Sequence, residues 1–169
     1  MTDASSSPRP RDALTGEFFQ LGYVTRDLDR AIALYHGRYG VADFLRFDTR
    51  DMAPPGATGP FIEVALAYRG PVMIELIRPD PADPGIYRDV LRSDGGVNLH
   101  HLGYLVDERR FESLAADFRA AGIAVPTESR SAVGLSLIYA DTRADNGLFS
   151  EYVTLGEGGR KFFDSVPRS

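Results

Sequence analysis

A chain of 169 residues and 18.5 kDa, 43% hydrophobic and 25% charged, has the length and composition of one globular domain, which excludes wholesale disorder and a fibrous protein. A net charge of -5 and a pI near 5.2 argue against a nucleic-acid binder, whose affinity would come from neutralising phosphates. The absence of cysteine removes disulfides, cysteine nucleophiles and thiolate metal sites together.

Residues 1–16 are rich in Ser, Pro, Arg and Asp, without apolar periodicity, and read as a flexible leader. They lack a basic stretch followed by an apolar one, and no apolar run approaches the roughly 18 residues of a membrane span. No secretory signal and no membrane partner are expected, and a cytoplasmic location is. Residues 18–24 read as a strand, and Thr25-Arg26-Asp27 supplies helix-capping chemistry. Leu28, Ala31, Ile32, Tyr35 and Tyr39 then recur at helical spacing, with a stop expected near Gly37 or Gly40. After a Pro/Gly-rich loop from Met52 to Pro60, residues 61–68 and 72–78 form a hairpin about Arg69-Gly70-Pro71.

From Asn98 the pattern starts again. Leu99-His100-His101-Leu102-Gly103-Tyr104-Leu105-Val106-Asp107 repeats Phe18 to Asp27 nearly position for position. A helix follows with Phe111, Leu114, Ala115, Phe118 and Ala121 on one face and Gly122 as its stop. Short strands are expected at 123–125, 135–140 and 148–155, with a turn at Asp145-Asn146-Gly147. Both halves therefore read β-α-β-β-β, and a duplication is the simplest account. The expected organisation is a leader (1–16), one domain (17–155) and a C-terminal tail (156–169). The domain holds module 1 (17–80) and module 2 (98–155), joined by 81–97.

Strand alternation selects the polar residues of interest. Phe19, Leu21 and Tyr23 are expected beneath the helix, which leaves Gln20 on the opposite face. The same parity sets His101 beside Gly103 and puts His100 with Leu102 and Tyr104 on the helix side. In the last strands Glu75 lies between Ile74 and Leu76, and Glu151 opposes Tyr152. If the halves curve round a hollow, Gln20, Glu75, His101 and Glu151 converge. Carboxylates in such apolar settings are costly to bury unless paired or bound to a cation. Two carboxylates, an imidazole and an amide oxygen make a neutral site for one divalent ion, with zinc, nickel, cobalt and manganese all open.

The motifs Leu-Gly-Tyr-Val-Thr-Arg-Asp-Leu-Asp-Arg-Ala, Ile-Glu-Leu-Ile-Arg-Pro, Leu-His-His-Leu-Gly-Tyr-Leu-Val-Asp and Ser-Glu-Tyr-Val resemble the vicinal oxygen chelate superfamily. That superfamily includes glyoxalase I, methylmalonyl-CoA epimerase, extradiol dioxygenases and bleomycin- and fosfomycin-resistance proteins. The resemblance covers about Phe18 to Leu155. It implies an α+β fold of two tandem βαβββ modules, whose curved mixed sheets surround a cavity with the helices outside. It also implies metal ligands at Gln20, Glu75, His101 and Glu151. Many members have His where this chain has Gln20, which weakens a dioxygenase reading. The ligand set resembles zinc-using glyoxalase I, whereas Ile86-Tyr87-Arg88-Asp89-Val90-Leu91 resembles the epimerase branch.

The function expected is a metal-dependent isomerase or lyase acting on a small carbonyl or acyl-thioester substrate through an enolate. Glu151 is the first choice as base and Glu75 the second. Tyr87, Arg88 and Tyr139 are candidates for substrate contact, while His100 and His36 are assigned to structure or surface. The alternatives are a non-catalytic small-molecule binding or resistance protein and, below it, an extradiol-type dioxygenase. A homodimer is expected, because sheet edges need covering.

Overall fold

The computed structural model describes residues 16–53, 56, 61–131 and 134–169. Except for Gly16, the expected leader lies outside the described residues, as does most of the loop after Met52. Each half begins with the same local device. After strand β1 (Glu17–Val24), the Asp27 carboxylate accepts the Arg30 backbone N–H at 3.0 Å and starts helix α1 (Leu28–Tyr39). Gly40, at φ 66°, ends that helix in the left-handed conformation that glycine adopts at low cost. After β5 (Asn98–Leu105), Asp107 accepts the Arg110 N–H at 2.8 Å and starts α2 (Glu108–Ala120).

Between α1 and β5 the chain forms β2 (Leu45–Asp48), β3 (Ile62–Arg69) and β4 (Val72–Pro79). A 3-10 turn (Gly85–Val90) bridges the modules. The second module continues through β6 (Thr127–Arg130), β7 (Leu135–Ala140), the single turn α3 (Arg143–Asn146) and β8 (Phe149–Leu155). Helix α4 (Glu157–Asp164) follows within the expected tail. The sixth strand lies beyond the 123–125 expected from sequence. The Ile123 N–H is bonded to the Phe118 carbonyl at 2.9 Å, so this segment finishes α2, and it meets the end of β7 only where the Asp141 N–H donates to the Ala124 carbonyl at 2.8 Å. The second strand is four residues with Arg46 and Asp48 alternating, too short for its period to stand out.

Strand order is β2-β3-β4-β1-β5-β8-β7-β6, one eight-stranded mixed sheet rather than two. β1 runs parallel to β4 and β5 parallel to β8, while β1 and β5 join the modules as antiparallel neighbours. Leu28, Ala31 and Tyr35 of α1 pack on Ala65, Ala67 and Leu76. On the same, outer face of the other module, Phe111, Leu114 and Phe118 of α2 cover Ile138, Ala140 and Tyr152.

The C-terminal segment takes the other face. Phe163 of α4 packs 5.7 Å from Phe19, ring to ring, and Phe162 5.3 Å from Phe47. The chain then pairs with β3: the Tyr68 N–H donates to the Pro167 carbonyl at 2.7 Å and the Ser169 N–H to the Tyr68 carbonyl at 3.1 Å. This covers the stretch of β3 beyond Leu66 that short β2 leaves open, one of the edges that sheets must protect. No helix among the described residues is long and apolar enough to cross a membrane.

Both caps act on isolated helix termini, so their removal is expected to cost stability without moving the sheet. Asp107→Ala should lower the unfolding free energy by about 1 kcal/mol in urea titrations. An unchanged midpoint would show that the Asp107 cap contributes nothing.

Candidate metal centre and cavity

The junction of β1 and β5 builds the site's floor. In their antiparallel register Gln20 faces Gly103 and Gly22 faces His101. A Cβ on Gly22 would stand 1.8 Å from His101 Cε1, and one on Gly103 would stand 2.5 Å from Gln20 Oε1. The glycine of each Leu-Gly-Tyr thus clears the space that the other module's polar side chain occupies. These are close approaches that no other residue permits. Glu75 and Glu151 reach the same place from β4 and β8, which flank the joined pair.

His101 Nε2 lies 3.1 Å from Glu75 Oε2 and 3.4 Å from Glu151 Oε2. One ligand atom from each of the three falls within 4.8 Å of the others, an arrangement that can hold a metal ion. The His101 side chain is 0% exposed, Glu151 5% and Glu75 13%. Despite this proximity, His101 Nε2, Glu75 Oε2 and Gln20 Oε1 are buried without a hydrogen bond of proper geometry. Nearly all buried polar atoms are satisfied, so the orphaned His101 Nε2 and Glu75 Oε2, 3.1 Å apart, mark a place suited to a cation, with Gln20 Oε1 a third orphan on the cavity floor. Burial opposes a charge on His101, but Glu151 and Glu75 outweigh it and hold its pKa up at about 9. Burial raises the Glu75 pKa, with His101 lowering it and Glu151 raising it further. Positive charge is therefore favoured between the carboxylates, as a proton or as a metal.

Two sequence expectations fail through bulges. The β1–β5 register shifts between Phe18 and Gln20, and Phe19 joins Phe163 and Val153 on the inner face rather than packing beneath α1. It shifts again where Tyr23 pairs with Leu99, which makes His100 the extra residue of β5. His100 is not on the helix side: its ring stacks on Phe149 at 4.9 Å and sits 5.9 Å from Tyr139. Its Nδ1 lies 3.1 Å from His101 Nδ1, and its Nε2 lies 3.3 Å from the Ile86 carbonyl. Burial first, then the neighbouring His101, lowers the His100 pKa to about 3, so the ring is neutral. Its single proton belongs on Nε2, facing the carbonyl. Nδ1 then accepts from His101 Nδ1–H, which turns the His101 Nε2 toward the carboxylates. The His-His doublet was the only signal of this pairing in the sequence.

Above this floor opens a cavity of about 560 Å³, within the size range of small-molecule sites. Gln20, Glu75 and Glu151 lie at its floor, with Tyr87 and Tyr139 in the wall. Tyr139 is directly opposite Glu151 in the β7–β8 ladder. Burial raises the pKa of both phenols, so each stays protonated and able to donate. Arg88 is not part of this wall; its side chain is 63% exposed, 3.7 Å from Asp83. His36, on α1, contacts the Val41 and Ala42 carbonyls and does not line the cavity.

Residues 19–139 match the model of the Glyoxalase/Bleomycin resistance protein/Dioxygenase superfamily, and the chain belongs to that family. Methylmalonyl-CoA epimerases are among the similar solved structures. A Streptomyces coelicolor epimerase variant in complex with 2-nitronate-propionyl-CoA has 19% identity and a TM-score of 0.62, over 85% of this chain and 97% of that one. The Mycobacterium tuberculosis epimerase has 18% identity and a TM-score of 0.60, over 98% and 97%. A hypothetical protein of Bacillus halodurans C-125 has 16% identity and a TM-score of 0.62, over 85% and 96%. At these identities the similarity is one of fold. None of the curated proteins matches the sequence.

The reciprocal glycines give a direct check. Gly22→Ala should weaken divalent-metal binding by about 10- to 100-fold, the scale of losing a ligand's support, in calorimetric titrations. Wild-type affinity in that variant would mean that His101 does not need the space Gly22 leaves.

Proposed function

We propose that the chain is a divalent-metal-dependent isomerase or lyase that moves a proton beside a carbonyl, in a small carbonyl compound or an acyl thioester. The observation that carries this reading is the buried Glu75–His101–Glu151 cluster, with its orphaned donor atoms, at the floor of a largely apolar cavity. Gln20 Oε1, Glu75, His101 Nε2 and Glu151 would hold the ion. When bound, it supplies Lewis acidity to a carbonyl oxygen. The donor set, with two carboxylates and one imidazole, balances a 2+ charge without thiolate.

The protein's own groups divide the remaining work. Glu151 is the base that takes the proton next to the carbonyl, with Glu75 as the alternative. The protonated Tyr139, across the ladder from Glu151, faces the same volume and can donate to a substrate oxygen. His100 fixes the tautomer of His101 and with it the direction of Nε2. The apolar wall excludes water, which strengthens each of these interactions. The epimerase structures of the same fold support proton transfer as the class of chemistry. A homodimer in the cytoplasm belongs to the same proposal.

The test is proton exchange in deuterated water, with the metal-loaded protein and 2-oxo-hemithioacetals or 2-methyl-branched acyl thioesters. Exchange at the carbon next to the carbonyl is expected, and Glu151→Gln should slow it by about 100-fold or more. Absence of exchange with every substrate at full metal occupancy would contradict the proposal. If exchange persists in Glu151→Gln but is lost in Glu75→Gln, the base is Glu75.

A further inference from the structure

The cavity is polar at its floor and again at its rim. Between the Glu75–Glu151 floor and the mouth the wall is hydrocarbon and aromatic: Phe47, Val64, Leu66, Leu137, Val153 and Phe162. Polar side chains return at the rim, where Thr49, Ser129 and Ser131 are uncharged and Asp83 is acidic. A ligand carrying phosphates needs cations or helix N-termini facing it.

Among the described lining residues there is no unpaired cation. Arg130 is the one cation lining the cavity among the described residues, and its guanidinium is taken by Glu112 in a two-pronged pair at 3.0 and 3.2 Å. Arginines next in sequence to the lining residues Thr49, Tyr87 and Pro79 each have a carboxylate beside them. Arg50 is held by Asp48 at 2.8 Å and Asp80 at 3.3 Å, Arg88 lies 3.7 Å from Asp83, and Arg78 is paired with Glu63. In sequence, residues 54–60 and 132–133 carry no charged side chain. A phosphate group at this mouth would meet paired arginines and an acidic rim residue, within a protein of net charge -5.

We propose that the cavity takes a substrate with an uncharged, apolar body, its oxygen-bearing end against Glu75 and Glu151, rather than a nucleotide-linked thioester. This separates the chain by ligand class from the coenzyme A complexes seen with the same fold. The inference rests on the cavity being the substrate site of the proposed reaction, and it narrows that proposal to its non-nucleotide carbonyl compounds.

The neutral fluorophore N-phenyl-1-naphthylamine tests it in the full chain, with and without added manganese. Saturable binding of one probe per chain is expected, reversed by 1-phenyl-1,2-propanedione. Coenzyme A at millimolar concentration should leave the probe in place. Leu137→Asp, which sets a charge in a half-buried stretch of wall, should weaken the probe by about 10-fold or more, while Leu137→Met should not. Absence of saturable binding, an unaffected Leu137→Asp, or displacement by coenzyme A that high salt abolishes would each overturn the inference. Intact probe binding with no proton exchange on any substrate counts against the reaction and leaves the ligand class standing.

Discussion

The antiparallel pairing of β1 with β5 is the constraint on which the rest of this structure depends. It turns two half-sized modules into one sheet, and its register decides which residues of one module face which of the other. Gly22 opposite His101 and Gly103 opposite Gln20 mean that each module leaves a gap for the other's polar group. A slip of one residue would close both gaps and turn the ladder's side chains to the wrong face. The parallel pairings of β4 with β1 and of β8 with β5 then fix where Glu75 and Glu151 arrive.

That geometry carries an electrostatic cost. Two carboxylates and an imidazole are withdrawn from water into a setting where like charges repel strongly. Glu63, Asp48 and Glu112 are matched by an arginine each, whereas among the described residues Glu75 and Glu151 have His101 and one another. A cation at the shared point relieves that imbalance, and the raised pKa values of His101 and Glu75 are two expressions of the same pressure. Packing supports the arrangement from both sides. α1 and α2 hold the outer face, and the C-terminal segment brings Phe162 and Phe163 against the inner one.

Much of this was legible in the residues. The repeated capping aspartates, Asp27 and Asp107, and the two Leu-Gly-Tyr motifs mark equivalent strands and helices, and the duplication brings Gln20, Glu75, His101 and Glu151 to equivalent places. Alternation failed where the backbone broke period. The bulges in the β1–β5 ladder moved Phe19 and His100 to faces that simple parity forbids, and no residue type in the sequence announces a bulge there. The pairing of the neutral His100 with His101 therefore became visible only in three dimensions. Arg88 shows the reverse case: a charged residue in a suggestive motif whose side chain turns to solvent. The paired state of the arginines round the cavity mouth was equally beyond a linear reading, since their partners come from other strands and helices.

The central claim is that both modules contribute side chains to one oxygen-rich metal site with a single imidazole. X-ray absorption spectroscopy at the metal edge of the manganese- or cobalt-loaded chain tests it most directly. One bound ion per chain is predicted, with a first shell of oxygens and one imidazole that is lost in His101→Gln and retained in His100→Gln. A shell with two imidazoles, or an imidazole that survives His101→Gln, would contradict the account, as would failure to take up any divalent ion stoichiometrically.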